Sequence, residues 1–227
     1  MVFDKISNAL GFGNIAYFPG CLTKHVLPKI EQNYKKILDK MGIDYITIDL
    51  SCCGSPCQNA GYETDFQLLL NKNLADFKKY GVKKIITNCP ACYKVLKEQY
   101  KLNVEHISTV IWKNIKNFEP NKFDEQISYH DPCHLGRHSG IYEEPRNILK
   151  HLGFKIVEMR GNREKALCCG GGAGMKSNFP NESNKIAKLR LEQVKTHKLV
   201  TFCPLCYSHL KENAEDTQVI EFSEVML

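Results

Sequence analysis

One cysteine pattern is written twice in this chain, and that repetition limits the fold more than any other feature. In the first half, Cys21 is followed by Cys52-Cys53-Gly54 and then by NCPACYKVLK, which carries Cys89 and Cys92. In the second, Cys133 is followed by Cys168-Cys169-Gly170 and then by FCPLCYSHLK, with Cys203 and Cys206. Matched positions are offset by 112 residues (21 to 133), 116 (53 to 169) and 114 (89 to 203). The likeness extends past cysteine: each C-P-x-C continues with tyrosine, Tyr93 and Tyr207, and a strand-like VEHISTV in one half answers VIEFSEV in the other. Buried free cysteine is common in cores but is not spaced in this way, so the pattern marks a duplicated unit.

Each unit reads as alternating strands and helices. IAYFPGC precedes a helix with Ile30, Tyr34, Ile37, Leu38 and Met41 on one face, and DYITIDL then leads into the cysteine pair. Phe66, Leu69, Leu70, Leu74 and Phe77 mark a second amphipathic helix, closed by Gly81 and followed by KKIITNC. The second half repeats the order with QISYHDPC, PRNILKHLG, FKIVEM, NESNKIAKLRLEQVKTHK and LVTFC. This alternation predicts an α/β fold of two pseudo-symmetric, Rossmann-like halves with mostly parallel strands, residues 1–122 and 123–227, packed as one intimate unit. No apolar run reaches the length of a membrane span, and the opening MVFDKISNALGFG has neither an apolar signal core nor the Arg-rich look of a transit peptide. Cytoplasm without direct membrane insertion is the expected setting.

Eleven cysteines in a chain expected inside the cell argue for metal binding rather than disulfides. The pattern places the repeated cysteines where strands turn toward helices, the end at which α/β folds bind ligands. Helix N-termini there favour thiolate over thiol, and Pro90 and Pro204 suit a helix's first turn. Each half supplies five thiols, one more than tetrahedral zinc or an ordinary four-iron cubane uses. Adjacent cysteines point apart in an extended chain, which is awkward at a single metal and easier across several irons. Ligand count thus favours iron-sulfur over zinc. The glycine-rich CCGGGAGM does not complete the G-x-G-x-x-G dinucleotide fingerprint, because its last position falls on Met175. The net charge of +6 is spread over helical-looking segments, a solvated face rather than a nucleic-acid site. Two anionic clusters would roughly cancel it.

Two C-x(about 30)-CCG-x(about 35)-C-x-x-C blocks, the second opened by YHDPCHLGRHSGIYEEPR, closely resemble the CCG-domain (cysteine-rich domain) proteins, among them the catalytic subunits B and D of heterodisulfide reductase. The resemblance runs from about Ile15 to Met226. It implies two non-cubane four-iron, four-sulfide clusters facing one pocket in which a disulfide is reduced. Cys21, Cys52, Cys53, Cys89 and Cys92 would hold one cluster, and Cys133, Cys168, Cys169, Cys203 and Cys206 the other. Zinc in one half is the alternative cofactor. The implied substrate is a small-molecule disulfide or thiol, the mixed disulfide of coenzymes M and B or a related one. The sequence has no ferredoxin-type cysteine run, so the expected partner is an iron-sulfur or flavin electron-donor subunit. A different function also fits the resemblance: electron transfer beside a flavin-dependent lactate, glycolate or glycerol-3-phosphate dehydrogenase.

Lys24-His25 and Arg137-His138 fall in similar places in the two halves and are the candidate catalytic residues. They would bind an anionic thiol substrate or donate protons; alternatively they cap turns or pair with acids. His130 and Asp131, just before a cysteine, suit hydrogen bonding behind the metal better than ligation. His106 reads equally as a core or turn residue, and Tyr93 and Tyr207 as packing. Cys57, without a counterpart in the second half, reads as a packed or partly exposed thiol.

Overall fold

A computed structural model describes residues 13–227; the opening segment read for targeting signals lies outside them. The first half runs β1 (Asn14–Phe18), α1 (Cys21–His25), α2 (Pro28–Lys40), β2 (Ile46–Thr47), α3 (Ser55–Ala60), α4 (Glu63–Lys79), β3 (Val82–Thr87), α5 (Pro90–Glu98), β4 (Val104–His106) and α6 (Ile107–Lys113). The second repeats it: β5 (Gln126–His130), α7 (Glu143–His151), β6 (Lys155–Ile156), α8 (Met175–Asn178), α9 (Pro180–Leu191), β7 (Lys198–Thr201), α10 (Pro204–Asn213), β8 (Gln218–Glu221) and α11 (Ser223–Met226). Each half holds a four-stranded sheet, in the orders β2-β1-β3-β4 and β6-β5-β7-β8. Every pairing is parallel.

The local causes are those the patterns predict. Pro28 opens α2, whose Ile30, Tyr34, Ile37 and Leu38 are buried. Helix α4 carries Glu63 and Asp65 in its first turn and Lys78 and Lys79 in its last, matching the helix dipole at both ends. Two expectations are corrected. DYITIDL and FKIVEM yield strands of only two residues, because beyond them the chain leaves the sheet to deliver the cysteine pairs. The strand-like VEHISTV and VIEFSEV each break into a helix: α6 starts at Ile107, capped by His106, and α11 starts at Ser223.

The two halves share one core. Tyr34, Ile37, Ile107 and Ile111 of the first lie in the same apolar cluster as Tyr129, Leu149, Val200 and Phe222 of the second. Each such side chain contributes roughly 1.5–3 kcal/mol by leaving water, so the halves hold each other in place. Smaller clusters pack around the cysteines of each half separately. Among the described residues, no helix is long and apolar enough to cross a membrane.

Candidate metal centre

In each sheet the chain moves from its first strand to one side and then crosses to the other, so the switch point lies between β1 and β3, and between β5 and β7. Cysteines follow three neighbouring strands at the ends flanking that point. Cys21 opens α1 beyond β1, Cys52 and Cys53 follow β2, and Cys89 caps α5 beyond β3, with Cys92 in its first turn. In the second half Cys133 follows β5, Cys168 and Cys169 follow β6, and Cys203 caps α10, with Cys206 in its first turn.

The sulfurs pair identically in both halves. Cys21 Sγ lies 3.9 Å from Cys52 Sγ, as Cys133 Sγ does from Cys168 Sγ. Cys53 Sγ lies 3.2 Å from Cys92 Sγ, and Cys169 Sγ 3.3 Å from Cys206 Sγ. Adjacent cysteines therefore do turn to different partners. All ten are free thiols. The backbone is shaped around them: Gly20 has φ +77°, and a Cβ there would sit 3.1 Å from Cys92 Sγ. Gly54 and Gly170 share φ +85° just after the cysteine pairs.

Crowding sets the ionisation of these thiols. Cys53 is lowered to about 5 by hydrogen bonds from Cys52 and Cys92, which outweigh its burial. Its donors move the other way. The bond to Cys21 pulls Cys52 down, but the bond to Cys53 and burial raise it to about 11, while the bonds to Cys53 and Cys89 drive Cys92 well above the ordinary value. In the second half, hydrogen bonds to Cys133 and Cys169 strongly depress Cys168, and both donors are raised. Lowered thiols, Cys203 beside Cys206 as well as Cys168 in the second half, are thus solvated by their neighbours' S–H groups, and five cannot ionise together without a cationic core among them. A donor set of five sulfurs, with helix N-termini and glycine-lined backbone around it, fits a multi-iron cluster better than one tetrahedral ion.

His130 joins Cys169 and Cys206 in a buried group whose ligand atoms lie within 4.8 Å of one another. Its Nδ1 faces Arg190 Nε at 2.9 Å, and a guanidinium only donates. The ring proton is therefore on Nε2, so His130 is built to donate a hydrogen bond there, not to bind a metal. Asp131 accepts two hydrogen bonds from Arg146, at 2.7 and 2.8 Å, and one from Arg163 N at 2.8 Å, bracing the segment that delivers Cys133.

Two of the four candidate catalytic residues are engaged. Lys24 is ion-paired with Asp49, and Arg137 donates to the Ala166 carbonyl. His25 is exposed, and exposed His138 lies with its ring centroid 5.0 Å from that of His134. His134 Nδ1 in turn sits 3.4 Å from Cys133 Sγ. Sequence reasoning passed over His134 although it directly follows a repeated cysteine, and His209 although it stands three residues after Cys206; it also missed Arg190, which lies on a helix with no local motif. His106 is a buried turn residue whose Nδ1 accepts from Ser108 N, held neutral by burial, which lowers it to about 3. Tyr93 and Tyr207 are buried, each accepting from a lysine one turn on, Lys97 and Lys211, at 2.8 and 2.9 Å. Cys57, on α3, is partly buried against the first half's cysteine-lined cluster.

The fold and site define a duplicated α/β protein with two equivalent five-thiol centres. The cysteine-rich domain (CCG) family matches residues 15–97 and again 127–211, one match per half, and the chain belongs to that family. An uncharacterised iron-sulfur protein of Methanocaldococcus jannaschii is 34% identical over 207 residues, 88% of this chain and 41% of that protein. EtfAB:quinone oxidoreductase of Syntrophomonas wolfei is 32% identical over 84% of this chain and 30% of its own. One subunit of the dihydromethanophenazine:CoB–CoM heterodisulfide reductase of Methanosarcina acetivorans is 31% identical over 94% of this chain and 58% of its own. The chain thus spans between about a third and three fifths of these relatives' length.

Proposed function

We propose that the chain is the iron-sulfur module of an oxidoreductase complex, holding one non-cubane four-iron, four-sulfide cluster in each half and reducing a small-molecule disulfide between them. The observation that carries this reading is the matching set of thiols in both halves: four pair in the same way, and the fifth, Cys89 or Cys203, caps the helix that carries Cys92 or Cys206. A relay needs only a path for electrons, whereas splitting a disulfide uses two like sites, one for each sulfur. The similarity to a polypeptide of heterodisulfide reductase supports the same reading.

Such clusters, when bound, supply one-electron chemistry. The chain's residues do the rest: the ten cysteines hold the clusters, and Arg146 and Asp131 fix the segment that brings Cys133 forward. Cleavage consumes two electrons and two protons and yields two thiols. The electrons would come from a partner subunit carrying iron-sulfur or flavin, a reading supported by the similarity to one subunit of a heterodisulfide reductase. His138 and His25 are the exposed groups available as proton donors or as contacts for an anionic substrate, with His134 beside Cys133.

A second reading, electron relay between a flavoprotein and an acceptor, is favoured by the similarity to EtfAB:quinone oxidoreductase. Anaerobic iron and sulfide analysis tests the cluster assignment: about eight of each per chain are expected from two four-iron units. Zinc at one or two equivalents without sulfide would overturn it. Disulfide-dependent oxidation of a reduced viologen then separates the readings, because a relay gives none.

A further inference from the structure

The two thiol groups match in their sulfurs and differ in what stands behind them. Phe18 and His130 end the equivalent strands β1 and β5, and Val95 and His209 occupy the same turn of α5 and α10. Gly54 faces Phe66 and Leu69, while Gly170 faces Ser183 and Ile186, which aligns α4 with α9 and sets Asn73 against Arg190. The first half thus carries Phe18, Asn73 and Val95 where the second carries His130, Arg190 and His209, and all six are buried.

Arg190 is unusual in that position. It is fully buried, and among the described residues no carboxylate lies within salt-bridge distance of it. Its Nη1 donates to Gly161 O at 2.7 Å and to Gln193 Oε1 at 2.8 Å, its Nε donates to His130 Nδ1, and its Nη2 has no partner. His130 Nε2, which carries the ring proton, is likewise without a partner. Burial lowers the guanidinium only to about 10, opposed first by the Asp131 carboxylate and then by the sulfurs of Cys206, Cys169 and Cys168. Arg190 Nη2 and the His130 Nε2–H are thus buried donors without a partner, and His130 lies beside Cys169 and Cys206. An anionic cluster would answer both.

We infer that His130 and Arg190 give the second-half cluster the higher reduction potential, so that the first electron entering the pair comes to rest in the second half. This rests on the cluster reading above. Reduction adds a negative charge, which a fixed cation and a hydrogen bond to cluster sulfur stabilise, and the first half offers neutral Phe18 and Asn73 instead. Water near exposed Cys21 acts in the opposite sense at the first site. A full charge in the interior interacts through a far lower dielectric than solvent does, and it prevails.

The test is a reductive titration of the anaerobic holoprotein with dithionite, followed by electron paramagnetic resonance. The two waves are assigned by removing one cluster at a time with Cys53→Ala and Cys169→Ala. The higher wave should disappear with Cys169→Ala. Arg190→Gln or His130→Phe should lower that wave alone, by at least tenfold in the equilibrium constant, 59 mV for a one-electron couple. Arg190→Lys, which keeps the charge, should restore most of it. A higher wave belonging to the first half, or one that does not move when either residue is lost, overturns the inference. The assignment by Cys53→Ala and Cys169→Ala decides the order even where an Arg190 or His130 variant fails to fold. Absence of iron and sulfide from the wild type would instead sink the cluster reading, and the inference with it.

Discussion

Tyr34 of the first half donates a 2.6 Å hydrogen bond to Glu221 Oε1 of the second, in a site that water does not reach. The same carboxylate accepts from Ser223 N at 2.7 Å and from Ser223 Oγ. Burial nevertheless raises it to about 7, against the pull of these donors. An acid whose folded value lies above its unfolded value, about 4.3 in peptides, stabilises the fold most when protonated. That contribution is full below about pH 4.3 and is lost as pH rises through about 7.

Tyr34→Phe removes a donor to the anion and should cost about 1.5–3 kcal/mol where Glu221 is ionised. The loss should be larger at pH 8 than at pH 5. Urea unfolding of variant and wild type at both values measures it, and an equal loss at the two would contradict this account of Glu221.

Gly20 should be irreplaceable for the first site alone. Alanine there would have to hold φ +77° with ψ 159°, a conformation essentially confined to glycine, at a cost of roughly 1–3 kcal/mol, and press its Cβ to 3.1 Å from Cys92 Sγ. Gly20→Ala is expected to lose about half the bound metal while the second half stays loaded. Metal content after desalting, compared with wild type, is the measurement; unchanged content argues that Cys92 is free to move aside.

The repeat was legible in the sequence because thiols converging from three strand ends must recur in register, and the strand-helix alternation followed from ordinary apolar periodicity. VEHISTV and VIEFSEV were rightly matched: His106 and Glu221 both end the outermost strand and both accept from the serine two residues on. The end of each strand near the serine was legible, but the helices that begin there, at Ile107 and Ser223, were missed, since β-branched and apolar residues read as strand. Arg190 was illegible for another reason. Its helix reads as solvated and lysine-rich, and nothing local says that one of its cations turns inward. Lys24 and Arg137 matched in sequence yet were found in an ion pair and on a backbone carbonyl, partners contributed by distant loops.

Arg146 is fully buried and bridges Asp131 and Glu158, at 2.7 Å to each. Arg146→Met should destabilise by about 3–5 kcal/mol, because it strands Asp131 as an uncompensated buried charge. Adding Asp131→Asn should recover part of that loss. Denaturant unfolding of the single and double variants checks both steps, and additive losses would show that the two residues do not act as a pair.

The pseudo-symmetry makes one demand on mechanism that a relay does not share. If each half receives one sulfur of a disulfide, losing either centre should abolish turnover, not halve it. Cys53→Ala and Cys169→Ala each remove a buried thiol from one five-sulfur set, and metal binding is coupled to the full ligand set. Each variant should therefore keep about half the iron and reduce disulfide at less than a hundredth of the wild-type rate, a barrier increase of about 2.7 kcal/mol or more. Iron content, the spectrum of the surviving cluster and viologen-linked disulfide reduction would be measured on the same samples. Near-wild-type turnover in either variant, with its remaining cluster intact, would rule out cleavage between two sites and leave electron relay as the better account of the duplicated thiols.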